Sequence, residues 1–120
     1  MYFSIGLPSN SQDRERWSES YYCRDLNPSV KAECTFNFGS DTNYSGFREL
    51  MIEKIEGNGG NVFVRISDDE SGQIIHEADP GAGGRERFYF NGQERKRGFK
   101  IFMRLHNPGS SALFKVRRAR

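Results

Sequence analysis

"GFKIFMRLHN", residues 98–107, alternates more cleanly than any other stretch of the chain. Phe99, Ile101, Met103 and Leu105 fall on one side, and Lys100, Phe102, Arg104 and His106 on the other. A period of two is the pleat of a strand with one buried face. After the turn "NPGSS" (107–111), "ALFKVRR" (112–118) alternates again through Ala112, Phe114 and Val116.

The same period recurs upstream. "RERFYF" (85–90) sets Arg85, Arg87 and Tyr89 against Glu86, Phe88 and Phe90. "NVFVRIS" (61–67) lines up Val62, Val64 and Ile66, and "GQIIHE" (72–77) reads as its return strand across the turn "DDESG". "SVKAECTFNFG" (29–39) places Val30, Ala32, Cys34, Phe36 and Phe38 together. "GFRELMIEKIEG" (46–57) is ambiguous: Phe47, Met51 and Ile55 sit four apart as on a helix, yet Leu50 and Ile52 fit a strand. The "GNGG" at 57–60 then suggests an antiparallel pair with 61–67 joined through a glycine turn.

Short strands divided by Gly-rich turns predict an all-β fold. The expectation is an antiparallel β-sandwich or jelly roll of about 7–8 short strands, with a small closed barrel as the alternative. The 120 residues form one domain by length, large enough to bury a core, and ten Phe, five Tyr and one Trp argue against a disordered chain. Residues 1–28 read as an irregular or short-helical segment covering one end, and 116–120 as a basic tail. Within the first segment Trp17, Tyr21 and Tyr22 either anchor on the core or stack on a ligand.

Cys23 and Cys34 permit one disulfide across a short loop; two free thiols are equally ordinary, and the inward place of Cys34 reads as a small buried hydrophobe. No apolar run reaches the length of a membrane span. "MYFSIGLPSN" lacks the basic region and long apolar stretch of an intact signal peptide, which leaves an intracellular chain or a mature or excised domain.

"RISDDESGQIIHEADPG" (65–81) crowds five carboxylates and His76 together. Asp68, Asp69 and Glu70 are weak calcium candidates, but Gly72 stands fifth from Asp68, where an EF-hand loop needs its glycine sixth. The plainer reading is a hairpin turn whose Asp and Ser side chains bond local backbone. His76 and His106 lack an evident third ligand. Neither a nucleophile elbow nor a phosphate loop occurs, so the chain reads as a non-enzyme without metal or cofactor.

Charge supplies the stronger functional clue. Residues 1–84 carry seven Lys or Arg against fourteen Asp or Glu; residues 85–120 carry eleven against two. Lys100, Phe102 and Arg104 line one strand face, and Lys115 and Arg117 are expected to continue it. Arg95, Lys96 and Arg97 form a basic turn, with Arg118 in the tail. The leading expectation is an interaction or assembly module that binds a protein partner or copies of itself. The alternatives are a nucleic acid or other polyanion held by those basic residues, and a carbohydrate stacked on Trp17, Tyr44 and Tyr89.

Overall fold

A strand with one apolar face is stable only when that face is covered, and here two sheets cover one another. The computed structural model describes residues 2–5, 17–38, 46–90 and 98–118. Among these, nine strands follow in chain order: β1 (Tyr2–Ile5), β2 (Tyr21–Cys23), β3 (Glu33–Phe38), β4 (Gly46–Glu56), β5 (Val62–Asp68), β6 (Ile74–Ala78), β7 (Arg85–Phe90), β8 (Phe99–Leu105) and β9 (Ser111–Arg118). One sheet has the order β1-β3-β8-β5-β6 and the other β2-β9-β4-β7. The result is a β-sandwich, not a closed barrel.

β8 stands at the centre of the five-stranded sheet, antiparallel to both β3 and β5. Its four alternating apolar side chains are fully buried, as are Cys34, Phe36 and Phe38 on β3 and Val62, Val64 and Ile66 on β5. The four-stranded sheet answers with Leu50, Ile52, Phe88, Ala112, Phe114 and Val116. Aromatic rings join the two layers: Phe36 meets Phe114 edge-to-face at 4.7 Å, and Phe88 meets Phe99 at 5.7 Å. Cys23 and Cys34 are disulfide-bonded, tying β2 in one sheet to β3 in the other within the core.

Several expectations change. Residues 1–28 contribute an edge strand to each sheet: β1 pairs parallel with β3, so the sheet is mixed, and β2 pairs antiparallel with β9. No helix occurs among the described residues. Tyr21 packs on Phe36, Phe38 and Phe114, so the core anchor of this segment is that residue. Val30 is exposed, because its N–H closes a turn onto the Asn27 carbonyl before β3 begins.

β4 is a strand, but β4 and β5 do not form a hairpin; they lie in different sheets. The "GNGG" link crosses between layers and locks onto the 107–110 turn. Asn58 Nδ2 donates to the Pro108 carbonyl (2.6 Å), Asn107 Nδ2 to the Asn58 carbonyl (3.1 Å), and Ser110 Oγ to the Gly59 carbonyl (2.8 Å). A Cβ on Gly57 would lie 2.2 Å from the Gly109 carbonyl oxygen, and its φ is +82°. Gly59 has a similar φ of +71° but open space around it. Gly59→Ala is therefore expected to cost about 1–2 kcal/mol, for backbone handedness alone. Gly57→Ala is expected to cost at least about 1 kcal/mol more, for the forced shift of packed backbone. Urea denaturation of both variants checks the difference; equal losses would show that the crossover is loosely docked.

Candidate functional site

Pleating leaves each sheet a second, solvent-facing side, and most of the predicted binding residues among the described ones divide between these two faces. On the five-stranded sheet, Lys100, Phe102 and Arg104 of β8 point outward beside Phe63 and Arg65 of β5. Phe102 is half-buried, edge-to-face with Phe63 at 6.4 Å, and lies under the Arg65 guanidinium. The ring is thus covered by its own sheet, far from Trp17 and Tyr22 on the other layer. Arg104 also stacks on Phe63, at 5.3 Å.

The cations of this face meet carboxylates. Lys100 Nζ is 3.4 Å from Asp69 Oδ1, Arg65 Nε donates to Glu77 Oε1 at 2.8 Å, and Glu33 stands opposite Arg104 in register. Three cations and three carboxylates leave no net charge. Among the described residues, charges from the acidic front and the basic back of the sequence therefore meet on this face. β8 is inserted between β3 and β5, and β9 between β2 and β4, which mixes the two halves.

The four-stranded sheet is different. Lys115 and Arg117 lie here, because β9 belongs to this layer, so they do not continue the Lys100–Arg104 face. Register places Lys115, Met51 and Arg85 in one row across β9, β4 and β7, and Arg117, Glu49 and Arg87 in the next. Phe47 and Tyr89 follow as a cross-strand pair, edge-to-face at 5.2 Å, each 46% exposed. The Arg87 guanidinium lies 5.4 Å from the Phe47 ring centre. At the β9 margin Trp17 packs against Arg117 at 4.4 Å and Lys115 at 5.2 Å. Ser18 fixes this position: its N–H donates to the Val116 carbonyl, and its Oγ accepts from the Val116 N–H.

Glu49 is the single carboxylate within these rows and is only 8% exposed. Its Oε2 lies 3.3 Å from Arg117 Nη2 and its Oε1 4.0 Å from Arg85 Nε. Among the described residues one carboxylate thus lies between two of the cations in these rows, with Lys115 in the same row as Arg85. Farther along β4, Lys54 is bound to Glu56 at 2.6 Å, and that hydrogen bond holds its ammonium pKa above the ordinary lysine value. The cation-rich part of this face among the described residues is therefore the Trp17–Tyr89 end. Across three strands it spans about 10 Å.

The remaining candidates are placed as follows. Arg95, Lys96, Arg97 and Tyr44 lie outside the described residues. Arg118 is half-buried on the inward side, in register with Arg48. Asp68 caps its hairpin turn, accepting from the Glu70 N–H and Ser71 Oγ, while Asp69 holds Lys100 and Glu70 is exposed. His76 and His106 use separate carboxylates, Glu86 at 3.1 Å and Asp79 at 2.8 Å. Among the described residues, no three His, Cys, Asp or Glu side chains converge as a metal site would require. No helix there is long and apolar enough to cross a membrane.

With this geometry in hand, comparison with known proteins adds no assignment. No family model and no curated protein matches the chain.

Phe47, Glu49, Arg85 and Arg87 belong to this face, though local sequence pattern does not mark them as site residues. The alternation of "RERFYF" already set Arg85 and Arg87 beside Tyr89. What it lacked was the neighbouring strand, since β4 and β9 are brought together only by the tertiary fold.

Proposed function

We propose that the chain is a non-enzymatic interaction module that holds an anionic partner on the outer face of its four-stranded sheet. The observation that carries this reading is the group Arg85, Lys115 and Arg117 beside Glu49, the one carboxylate in their two rows among the described residues, with Trp17, Phe47 and Tyr89 nearby. Arginine held flat against an aromatic ring keeps its N–H edge available for an acidic group, and loses little entropy on binding. Tyr, Trp and Arg are also the residue types that dominate binding energy at protein interfaces. The basic residues of the five-stranded sheet have the opposite character, because Asp69 and Glu77 already occupy Lys100 and Arg65.

Binding to immobilised polyanions (heparin, a single-stranded oligonucleotide and polyglutamate) tests the reading. About three ionic contacts predict a roughly 20- to 40-fold fall in affinity between 50 and 200 mM salt on a nucleic-acid polymer. The combined variant Arg85→Gln, Lys115→Gln should abolish retention, whereas Lys100→Gln with Arg104→Gln should leave it intact. Retention that ignores the first variant and follows the second would refute the choice of face. Light scattering at low and high salt separately reads self-assembly. A strict monomer in both excludes a second copy as the partner.

A further inference from the structure

We infer that Asn58–Gly59, in the link between β4 and β5, is a self-modification site. Asn58 cyclises onto the Gly59 amide when the link opens, and the carboxylate it becomes prevents the link from closing again. Opening of the crossover is thereby made one-way.

The pair has the chemistry and the exposure that the reaction needs. Asn58 is exposed, and a Cβ placed on Gly59 would meet nothing within 4 Å, so this corner lies at the surface. Among the described residues the Gly59 N–H donates to no acceptor. Glycine in this position leaves the backbone nitrogen unshielded, because no side chain stands beside it. The only co-reactant is water. The Gly59 nitrogen gives its proton to solvent and attacks Asn58 Cγ. The N–Cγ bond forms, the Cγ–Nδ2 bond breaks, and Nδ2 takes up a proton and leaves as ammonia. Water then opens the five-membered imide at one carbonyl or the other, which yields aspartate at position 58 or its β-linked isomer.

The docked link restrains this reaction. Asn58 Nδ2, the leaving nitrogen, donates to the Pro108 carbonyl at 2.6 Å. The backbone on either side is held as well, by Asn107 Nδ2 on the Asn58 carbonyl (3.1 Å) and Ser110 Oγ on the Gly59 carbonyl (2.8 Å). The amide is closely seated, since a Cβ on Gly109 would lie 2.8 Å from Nδ2. Cyclisation must swing Cγ onto the next nitrogen and expel Nδ2, so it breaks the bond to Pro108 and proceeds from the open link. Native proteins open locally in this way without unfolding as a whole.

The product cannot restore the docked arrangement. An ionised carboxylate accepts hydrogen bonds but donates none, and a proline offers only its carbonyl oxygen. Two acceptors would then face one another where a donor met an acceptor. The β-linked isomer also lengthens the link by a methylene, and Gly57, already pressed against the Gly109 carbonyl, leaves no slack for it.

The test incubates the full chain in mildly alkaline buffer over days. Digestion and mass spectrometry follow the Asn58 peptide apart from the chain's other Asn-Gly pair, Asn91–Gly92. Asn58 in the folded chain should convert, but at least about 10-fold more slowly than in the urea-denatured chain. Ser110→Ala removes a bond to the link and no reacting atom. It should accelerate folded-state conversion roughly 2- to 12-fold, the fold-change of one hydrogen bond. Low urea should hardly alter the rate, since a local opening exposes little surface. Gly59→Ala should suppress conversion in the folded and the denatured chain alike. In Asn58→Asp, which mimics the product, the Ser110 amide, bonded to the Asn107 carbonyl, should exchange hydrogen at least about 3-fold faster. The inference is overturned by no conversion in the folded chain, by conversion as fast as in the denatured chain, or by indifference to Ser110→Ala. A rate that climbs with urea as steeply as unfolding does, persistence in Gly59→Ala, or unchanged exchange in Asn58→Asp overturns it equally.

Discussion

Replacing Phe36 by alanine is expected to lower the unfolding free energy by about 3–5 kcal/mol, the range for truncating a fully buried aromatic side chain. Phe36 is 1% exposed and lies where four strands converge. It stacks on Phe3 of β1 at 4.9 Å, tilts against Tyr21 of β2 at 6.2 Å, and meets Phe114 of β9 at 4.7 Å. Truncation would remove the ring that links the parallel edge strand to its own sheet and both to the opposite layer. The surrounding rings are rigid and approach from several directions, so collapse into the gap would be incomplete. Typical domains have only about 5–15 kcal/mol in hand, so the variant should unfold at markedly lower urea with an unchanged denaturant slope. Phe63→Ala, on the solvent side of the same sheet, provides the contrast and should cost about 1 kcal/mol. A loss below about 1.5 kcal/mol for Phe36→Ala would mean that the two layers are not held together at this junction.

That contrast reflects what periodicity reveals. The alternation in 98–107 placed β8 correctly because a central strand has one buried face along its whole length and no irregularity. β4 was harder to read for a specific reason. Its pairing with β9 skips Glu53, passing from Ile52 opposite Phe114 to Lys54 opposite Leu113. The bulge reverses the parity, so Leu50, Ile52 and Ile55 all turn inward while Phe47 and Met51 turn outward. Apparent helical spacing of Phe47, Met51 and Ile55 is what a bulged strand leaves in one dimension. A similar skip at Ile75, between His76 and Ile74, lets Ile75 reach the core while Ile74 stays exposed.

The face was legible only in fragments, and counting charge along the chain did not locate it. Counting residues along the chain divides it into an acidic front and a basic back. Strand order then sets Arg117 beside Glu49 and Lys100 beside Asp69, pairs separated by most of that division. Which cations remain in surplus depends on sheet membership, and local alternation carries no information about that. The glycine link shows the same limit. "GNGG" looked like a hairpin turn because a tight turn and a close crossover demand the same residue; only the approach of the Gly109 carbonyl distinguishes them.

Reduction of the Cys23–Cys34 bond is expected to destabilise the chain by about 2–3 kcal/mol. The bond closes a short loop, with a sequence separation of 11, so its effect on the unfolded ensemble is at the modest end. Its position adds a second effect. β2 has only three residues, and the disulfide joins it to β3 while its pairing joins it to β9. Reduction leaves two thiols in a fully buried space and removes the covalent tie on this short edge strand. Urea unfolding with and without reductant should therefore show a midpoint lower by about 1–2 M in the reduced chain. Both cysteines are inaccessible in the folded state, so reduction should be slow in native buffer and should accelerate with urea as the edge opens. Fast reduction without urea would show that β2 detaches readily. Trp17 reaches Lys115 and Arg117 through Ser18, at the near end of the segment that leads into β2. Loosening that edge should therefore weaken polyanion binding as well as stability, and the two losses should be restored together on reoxidation.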